Sequence, residues 1–426
     1  MYTIGLDIGT TTICGILMVS TTGTVEKIVN KSNDTWLKGE EWEKIQSPEL
    51  IIAKIDEILA ELLTDEVDAI GVTGQMHGIL YYDNKGKAVS PLYTWQDGRG
   101  NLYLDDKTYA QHINSHTGYG NTTHFYNRKN GLIPKDASGF CTIHDYAVMH
   151  LTKRKEALVH TSDAASFGKF DLETKTFTLN DDMYPKITDK AVKVGYYQNI
   201  PVSVAIGDNQ ASFIGGGCDR DTVLCNVGTG SQISLIAQRN VGGLETRPLN
   251  EDKNILVGSS LCGGRAYAIL EKFFLQTAEM LGIKKDSVYG EMAEAIANCD
   301  KTDMIFNTLF SGNRENPDKK AAVTNISEDN FTPANLIYSC LEGICNELYE
   351  MYIKVNKKCT RLVGTGNGIR KNCALKKIFE EKFNMKMHIP IYSEEAAVGA
   401  ALFALVSCGK YNSIEDVERI VNYENI

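Results

Sequence analysis

Short apolar runs broken by Gly/Thr turns open the chain, and helical periodicity follows them. Residues 2–29 read as three apolar runs joined by tight turns, which predicts three antiparallel strands. Residues 49–63 then place aliphatic side chains on one face at helical spacing, namely Ile51, Ile52, Ile55, Ile58, Leu59 and Leu62. The apolar run 67–74 predicts a buried strand. The first part of the chain therefore predicts a sheet that is covered by helix.

A second strand–turn–strand pattern, TVLCNVGTGSQISLIAQR, begins at residue 222. Its Gly-Thr turn repeats that of the N-terminus, and Gly9 and Gly228 lie 228 − 9 = 219 residues apart, about half of the 426 residues. Helical segments are predicted at 267–281, 333–352 and 373–383, and residues 360–368 read as a strand that enters a glycine turn. A repeat of this period predicts two α/β domains of one plan with a cleft between them.

Composition narrows the class of protein. The 43% hydrophobic content is sufficient for two or three domains with their own cores. The net charge of −10 disfavours a general nucleic-acid binder. The longest apolar stretch, 396–408, is too short to span a bilayer and predicts a core helix. Because no signal peptide is visible and eleven scattered cysteines form no CxxC pair, we expect a cytoplasmic protein without a membrane partner.

Two acidic residues stand at the ends of predicted strands. Asp7 lies in LDIGTTT, where hydroxyl and amide donors suit an anion and the carboxylate suits a cation; the alternative is an ordinary threonine-rich hairpin. The second turn, NVGTGS, carries Asn226 in place of the acid, and one acid with two donor loops suits a magnesium nucleotide. Asp208, in VAIGDNQAS, either caps a helix that begins near Ala211 or takes part in catalysis.

Three further loops carry candidate chemistry. GTGNG at 364–368 allows a phosphate or a flat ring to approach the backbone, or is a plain strand-to-helix turn. GQMHG at 74–78 and TWQDGRG at 94–100 combine donors, acceptors and an aromatic face, as sugar sites do. His77 and Trp95 are core residues in the alternative interpretation.

Taken together, the phrases resemble the FGGY carbohydrate kinases of the actin and hexokinase superfamily. DIGTTT, GQMHG, TWQDGR, SDAAS (162–166), GDNQAS, NVGTGS, GTGNG and EEAAVGAAL (394–402) occur in the family's order along nearly the whole chain. The resemblance implies two ribonuclease-H-like domains, residues 1–217 and 218–426, around a catalytic cleft. The first would bind the sugar and carry the catalytic base, and the second would bind the nucleotide. It implies an ATP-dependent kinase, monomeric or homodimeric, that acts on the terminal hydroxyl of a ketose.

A seven-carbon ketose is expected ahead of xylulose or another ketose or polyol, and a non-kinase ATP-binding module is the remaining alternative. The resemblance implies that Asp208 is the general base and that Asp7, together with Asp208, holds Mg²⁺. It places the nucleotide at Thr10, Thr11, Thr12, Gly228, Thr229, Gly230, Gly364, Gly366, Gly368 and Asn372. It places the sugar at Gln75, Met76, His77, Trp95, Asp97, Arg99 and Asn209. Arg370 stands where family members more often have a small residue, which affects the expected adenine contact.

Overall fold

The computed structural model describes residues 1–237, 241–297, 299, 301–312, 316 and 318–424. Within these ranges the chain forms two compact units. The first unit contains residues 1–217, 247–254 and 394–422, and the second contains the described parts of 218–246, 255–393 and 423–426. No helix in the described ranges is long and apolar enough to cross a membrane.

The strands, in chain order, are β1 (Tyr2–Ile8), β2 (Thr12–Val19), β3 (Val25–Ser32), β4 (Ile45–Gln46), β5 (Val67–Gly74), β6 (Leu80–Asp83), β7 (Leu92–Tyr93), β8 (Tyr103–Leu104), β9 (Lys107–Thr108), β10 (Ala137–Cys141), β11 (Leu158–His160), β12 (Phe170–Asp171), β13 (Thr176–Phe177), β14 (Lys186–Thr188), β15 (Lys193–Tyr197), β16 (Ile200–Ser203), β17 (Ile206–Gly207), β18 (Thr222–Val227), β19 (Ser231–Ile236), β20 (Glu245–Asn250), β21 (Lys253–Ser260), β22 (Ile305–Asn307), β23 (Ala322–Thr324), β24 (Arg361–Thr365) and β25 (Met387–His388).

The helices are α1 (Pro48–Leu62), α2 (Tyr109–His112), α3 (Gly120–Lys129), α4 (Ile143–Thr152), α5 (Thr161–Ser166), α6 (Asp208–Gly215), α7 (Gly264–Met280), α8 (Tyr289–Ile296), α9 (Pro333–Val355), α10 (Asn367–Arg370), α11 (Cys373–Phe383), α12 (Glu395–Ser407) and α13 (Ile414–Glu418), with a 3₁₀ helix at Gly98–Asn101. Four of them, α1, α7, α9 and α11, confirm the helices predicted from periodicity to within three residues at each end.

The first unit is built on a sheet with the order β15-β16-β5-β1-β2-β3. The predicted meander is present, because β1, β2 and β3 pair antiparallel, whereas β5 runs parallel to β1. The predicted aliphatic stripe of α1 is buried in the core of this unit. The helix starts where the sequence indicates, since the Ser47 side chain accepts the Leu50 N–H and Pro48 occupies the first helical turn.

Helix α12 corrects the predicted domain boundaries. The predicted boundary at residue 217 places this helix in the second domain. In the structure it packs on the sheet of the first unit, where Gly5 and Gly71 leave room for its backbone. A Cβ at either glycine would lie 1.9 Å from a carbonyl oxygen of α12, that of Ala397 or Ala400. Because every side of α12 is apolar, it needs a buried position, and the glycine-lined face of the first sheet supplies one. Residues 247–254 also belong to the first unit.

The second unit repeats the plan of the first. Its sheet contains the run β21-β19-β18-β24-β25, in which β18, β19 and β21 pair antiparallel and β24 runs parallel to β18. The register repeats too, since Asp7 lies opposite Thr73 in the first sheet and Asn226 lies opposite Thr365 in the second. The α/β architecture of two similar sheets, each covered by helices, is thus confirmed.

Candidate active site

Two strands that flank β5 bring the candidate acids to one edge of the first sheet. On one side β1 pairs with β5, so that Asp7 lies opposite Thr73. On the other side β17 pairs with β5, so that Gly207 lies opposite Gly74, and Asp208 follows directly. The carboxyl ends of parallel strands meet at the same edge of a sheet, where ligands of α/β proteins commonly bind. The fold therefore assembles Asp7 and Asp208, which lie 201 residues apart in the sequence, around the end of β5.

The capping hypothesis for Asp208 is wrong. Helix α6 begins at Asp208 itself, and its N-cap position is Gly207, which makes no side-chain cap. The Asp208 carboxylate lies instead in the first helical turn, where the helix dipole favours negative charge. The residue is therefore available for a chemical role.

Both acids are half-buried, and their charges interact. Burial, followed by the negative charges of Asp208 and Glu394, raises the pKa of Asp7 to about 7. Burial also raises the pKa of Asp208, against the lowering effects of Arg247 and His144. Carboxylates in such an environment are stabilised by a bound cation, and their oxygens are the ligands that Mg²⁺ prefers. The residues at this edge therefore fit a magnesium ion.

A second titratable cluster lies in the core of the first unit. His144, Asp145 and Asp163 are fully buried, and their ligating atoms all lie within 4.8 Å of one another. Burial alone would lower the pKa of His144, but the adjacent Asp163 carboxylate, 3.0 Å from Nε2, raises it to about 9. Because a protonated imidazole has no lone pair for a metal, we interpret the cluster as an ion-paired group. The positive charge of His144 lowers the pKa of both Asp7 and Asp208, while the negative charge of Asp163 raises that of Asp208.

The first turn is connected to the candidate sugar loops by side-chain hydrogen bonds. Trp95 Nε1 donates to the Thr10 hydroxyl at 2.9 Å, and that hydroxyl donates to Gln75 Oε1 at 3.2 Å. Gln75 Nε2 donates to Gln46 Oε1 at 2.9 Å, and Gln46 Nε2 donates to the Thr10 carbonyl at 3.0 Å. The one hydroxyl proton of Thr10 is thus donated to Gln75. Thr11 and Thr12, which are predicted together with Thr10 to contact the nucleotide, are exposed.

His77 has the most constrained backbone of the sugar loops. Its φ of 72° lies in the left-handed region that non-glycine residues avoid. The Ser166 hydroxyl accepts the His77 N–H at 3.2 Å, and the Ser166 carbonyl accepts from Nδ1 at 2.8 Å. The ring stacks on Tyr119 with centroids 4.3 Å apart. Since a carbonyl only accepts, Nδ1 carries the proton, and in the neutral ring Nε2 is the acceptor for a hydroxyl.

Three predicted sugar contacts have structural roles instead. Asp97 and Arg99 are fully buried, and the Asp97 carboxylate accepts from Arg99 Nε at 2.6 Å, from Arg99 Nη2 at 3.2 Å, and from the Lys44 N–H at 3.1 Å. Arg99 Nη1 donates to Asn127 Oδ1 at 2.6 Å. Buried charges are retained when they are paired in this way, so the pair holds the 94–100 loop rather than a ligand.

Met76 is the third of these residues, with an exposed fraction of 4%. A Cβ on Gly207 would lie 2.7 Å from its terminal carbon, so Met76 packs on the peptide that precedes Asp208. Trp95, with 47% exposure, and Asn209, next to Asp208, remain candidates for contact with a ligand.

The second unit contains a cavity of about 1260 Å³. Among the predicted nucleotide residues, Gly228, Thr229, Gly366, Gly368 and Asn372 line it. The 364–368 loop passes so close to the β18–β19 hairpin that a Cβ on Gly366, which has a φ of 83°, would lie 2.5 Å from the Val227 carbonyl oxygen. The repeated glycines therefore allow a close approach of two backbone segments beside the cavity.

Gly230 and Gly364, which are also predicted nucleotide residues, do not line this cavity. Gly364 lies within β24, where a Cβ would lie 2.4 Å from the Met387 sulfur, and Gly230 packs against the Ser260 carbonyl in the hairpin. Both glycines are required by packing within the sheet. Arg370 also lies outside the cavity lining. Its guanidinium donates to the carbonyls of Pro390 and Tyr392.

The sequence patterns did not identify several residues that lie near the two acids or in the cavity of the second unit. Gln46, Arg247 and Glu394 act on the first turn or on the two acids, yet Gln46 and Arg247 lie in segments without a recognisable pattern. Glu394 opens the EEAAVGAAL phrase, which was the one available signal. In the second unit, Tyr267 and Tyr289 stack with centroids 5.6 Å apart in the cavity wall. They come from two different helices, so no local spacing connects them.

Comparisons with known proteins cover both units. The model of the FGGY family of carbohydrate kinases, N-terminal domain, matches residues 2–180, and the model of its C-terminal domain matches residues 223–408. The sedoheptulokinase of Mus musculus is 27% identical, over 95% of this chain and 97% of its own length.

Two solved structures are similar in fold. The xylulose kinase of Rhodospirillum rubrum is 18% identical with a TM-score of 0.86, over 100% of this chain and 93% of its own. The glycerol kinase of Plasmodium falciparum with ADP is 18% identical with a TM-score of 0.80, over the same shares of the two chains.

Proposed function

Because the chain belongs to the FGGY family of carbohydrate kinases, we propose that it transfers the γ-phosphoryl group of ATP to the terminal hydroxyl of a ketose. The proposed substrate is sedoheptulose and the product is sedoheptulose 7-phosphate. One observation carries the proposal: a pair of half-buried acids, Asp7 and Asp208, stands at the sheet edge beside the polar loops that contain Gln75, His77 and Trp95.

Asp208 is the general base of this proposal. Phosphoryl transfer needs a positioned acceptor hydroxyl and neutralised phosphate charge more than covalent help from the protein. A carboxylate with a raised pKa accepts a hydroxyl proton better than an ordinary surface acid does. Arg247 and His144 oppose this rise in pKa, and their positive charges favour the ionised form that a general base needs.

Asp7 would hold Mg²⁺, with Asp208 close by. The pKa of about 7 for Asp7 means that its ionised form is strained without a cation. When bound, Mg²⁺ would neutralise charge on the transferred phosphoryl group. Asp7 would thus orient the ion toward the same edge of the sheet at which Asp208 meets the hydroxyl.

The cavity of the second unit would take the nucleotide. Its glycine-lined hairpin and loop allow a ligand to approach the backbone closely, and helix α7 begins beside the hairpin, where Gly264 N donates to the Gly228 carbonyl at 2.9 Å. The N-terminus of a long helix favours phosphate. The stacked pair Tyr267 and Tyr289 supplies a flat apolar wall for a base.

The length of the sugar is the basis for specificity. We propose that Gln75, His77 and Trp95 hold the carbonyl end while the terminal hydroxyl reaches Asp208, so a five-carbon ketose leaves one end unpaired. Each buried polar group left unpaired costs about 1–3 kcal/mol, or roughly tenfold or more in specificity. The match with the Mus musculus sedoheptulokinase over nearly the full length of both chains supports the seven-carbon choice.

The test measures kcat/KM for sedoheptulose, D-xylulose and glycerol with one preparation, by sugar-dependent release of ADP. Mass spectrometry then locates the phosphate on the product. We expect sedoheptulose to exceed D-xylulose by about tenfold or more, with the phosphate on C7. A larger constant for D-xylulose would overturn the proposed substrate but keep the proposed base. No acceleration by any sugar or polyol would overturn the proposed mechanism.

A further inference from the structure

The short helix α5 connects the two halves of the proposed sugar site. It spans Thr161–Ser166, and three of its six residues bond to three different segments of the first unit. The Ser162 hydroxyl accepts the Gly207 N–H at 3.0 Å, Asp163 pairs with His144 at 3.0 Å, and the Ser166 hydroxyl accepts the His77 N–H at 3.2 Å. These side chains are buried, with exposed fractions of 4% or less.

Ser162 determines where the residue before Asp208 lies. Gly207 is buried, and Met76 packs against it so closely that a Cβ would lie 2.7 Å from the Met76 terminal carbon. The Ser162 hydroxyl donates its own proton to His160 Nδ1, 2.9 Å away, which leaves its lone pairs oriented toward Gly207. The peptide before Asp208 is therefore held by Met76 and by the Ser162 hydroxyl.

Ser166 has the corresponding effect on His77. Its hydroxyl accepts the His77 N–H and donates to the Asp163 carbonyl at 2.7 Å within α5, while its backbone carbonyl accepts from Nδ1. A residue with a φ of 72° keeps that conformation only when its surroundings hold it. The backbone conformation of His77 thus depends on the Ser166 hydroxyl, and its ring is held by the Ser166 carbonyl and by the stack with Tyr119.

We propose that α5 is a positioning element in which Ser162 sets the place of the catalytic base and Ser166 sets the place of the sugar-binding histidine. Neither serine touches the reacting atoms. The inference rests on the proposed function for its kinetic consequence. The two serines, four residues apart, should then affect different kinetic constants, because base geometry matters in the transition state and sugar-loop geometry matters for binding.

The kinetic test compares Ser162→Ala with Ser166→Ala in the full chain. For Ser162→Ala we expect kcat to fall by about 10- to 100-fold while the KM for the ketose changes less than about threefold. For Ser166→Ala we expect KM to rise by about tenfold with kcat within about threefold of wild type. If an alanine variant does not fold, the nearly isosteric Ser→Cys variant at the same position is measured, and it should show the same split to a smaller extent.

Ser203→Ala is the matched control. Ser203 is also buried in the first unit, and its hydroxyl has no hydrogen-bond partner among the described residues, so both constants should stay at wild-type values. Equal falls in kcat for both α5 variants, or no change in either, would overturn the positioning role. A wild-type protein that phosphorylates no ketose would instead overturn the proposed function.

Amide hydrogen exchange tests the same inference without turnover. Ser162→Ala should speed exchange about tenfold or more in a peptide that covers 204–212 and leave 74–80 unchanged, because it releases the Gly207 N–H only. Ser166→Ala should do the reverse. Faster exchange in both peptides for both variants would mean that α5 is a general packing element, which would overturn the proposal.

Discussion

Replacing Asp7 with asparagine is expected to make the folded protein more stable at alkaline pH while it reduces kinase activity. Burial and the charges of Asp208 and Glu394 hold the pKa of Asp7 at about 7, against an ordinary value of 3.8. Asparagine keeps the shape of the side chain and removes the charge. The variant should therefore relieve the repulsion that, in the proposed function, a magnesium ion relieves in the wild type.

The sign and size follow from the two pKa values. Below pH 3.8 Asp7 is protonated in both the folded and the unfolded chain, and its stabilising proton is lost as the pH rises through about 7. Above that pH the ionised side chain costs the folded state roughly 4 kcal/mol, at about 1.4 kcal/mol for each pH unit. At pH 5 the cost is only about 2 kcal/mol. The advantage of Asp7→Asn should therefore grow by about 2 kcal/mol between pH 5 and pH 8.

Urea unfolding in EDTA at pH 5 and pH 8 measures this advantage. The control is Asp83→Asn, because the Lys87 backbone N–H lowers the pKa of this half-buried acid. A carboxyl group with a lowered pKa stabilises the folded state at every pH above its ordinary pKa, and this contribution is lost only as the pH falls through the lowered pKa. Both pH 5 and pH 8 lie above that range, so Asp83→Asn should destabilise the protein slightly and equally at both. Added Mg²⁺ should stabilise the wild type and not Asp7→Asn. An Asp7→Asn variant that is less stable at pH 8, or equally favoured at both pH values, would refute the reasoning.

Two further changes test the base and the nucleotide cavity. Asp208→Asn should lower turnover by roughly 10²- to 10⁴-fold and leave ATP affinity unchanged in a fluorescence titration. Because burial raises the pKa of Asp208, wild-type kcat/KM should fall as the pH drops through that pKa, and this pH dependence should be absent in Asp208→Asn. Near-normal turnover of the variant would contradict the role of Asp208 as general base. Gly366→Ala should weaken ATP binding about tenfold or more, since its φ is 83° and a Cβ would lie 2.5 Å from a carbonyl oxygen. Gly290→Ala, in an exposed turn of α8 with nothing within 4 Å of the added carbon, is the control, and equal affinities in both variants would argue against a nucleotide in this cavity.

The elements whose patterns are local could be predicted from the sequence. The stripe of α1, the Thr332 and Pro333 start of α9, and the meander at residues 2–29 depend on neighbours within a few positions, and the structure contains each of them. The repeated Gly-Thr turn also predicted two sheets of one plan, because an internal repeat encodes the same strand order twice. Asp7 and Asp208 stood out for a similar reason, since an acid at the end of an apolar strand is conspicuous in sequence alone.

The partners of the donors and acceptors in the candidate site depend on contacts between residues that are far apart in the sequence. Asp97 and Arg99 satisfy each other in the core, and the Thr10 hydroxyl proton is committed to Gln75, 65 residues away. Likewise α12 joined the first unit because Gly5 and Gly71 leave space for it there. A residue's type states which hydrogen bonds it can make, whereas the fold decides which partners reach it and how much water remains. The residue types and their order along the chain establish which chemistry the protein carries, and long-range packing establishes which of those groups remain available to a ligand.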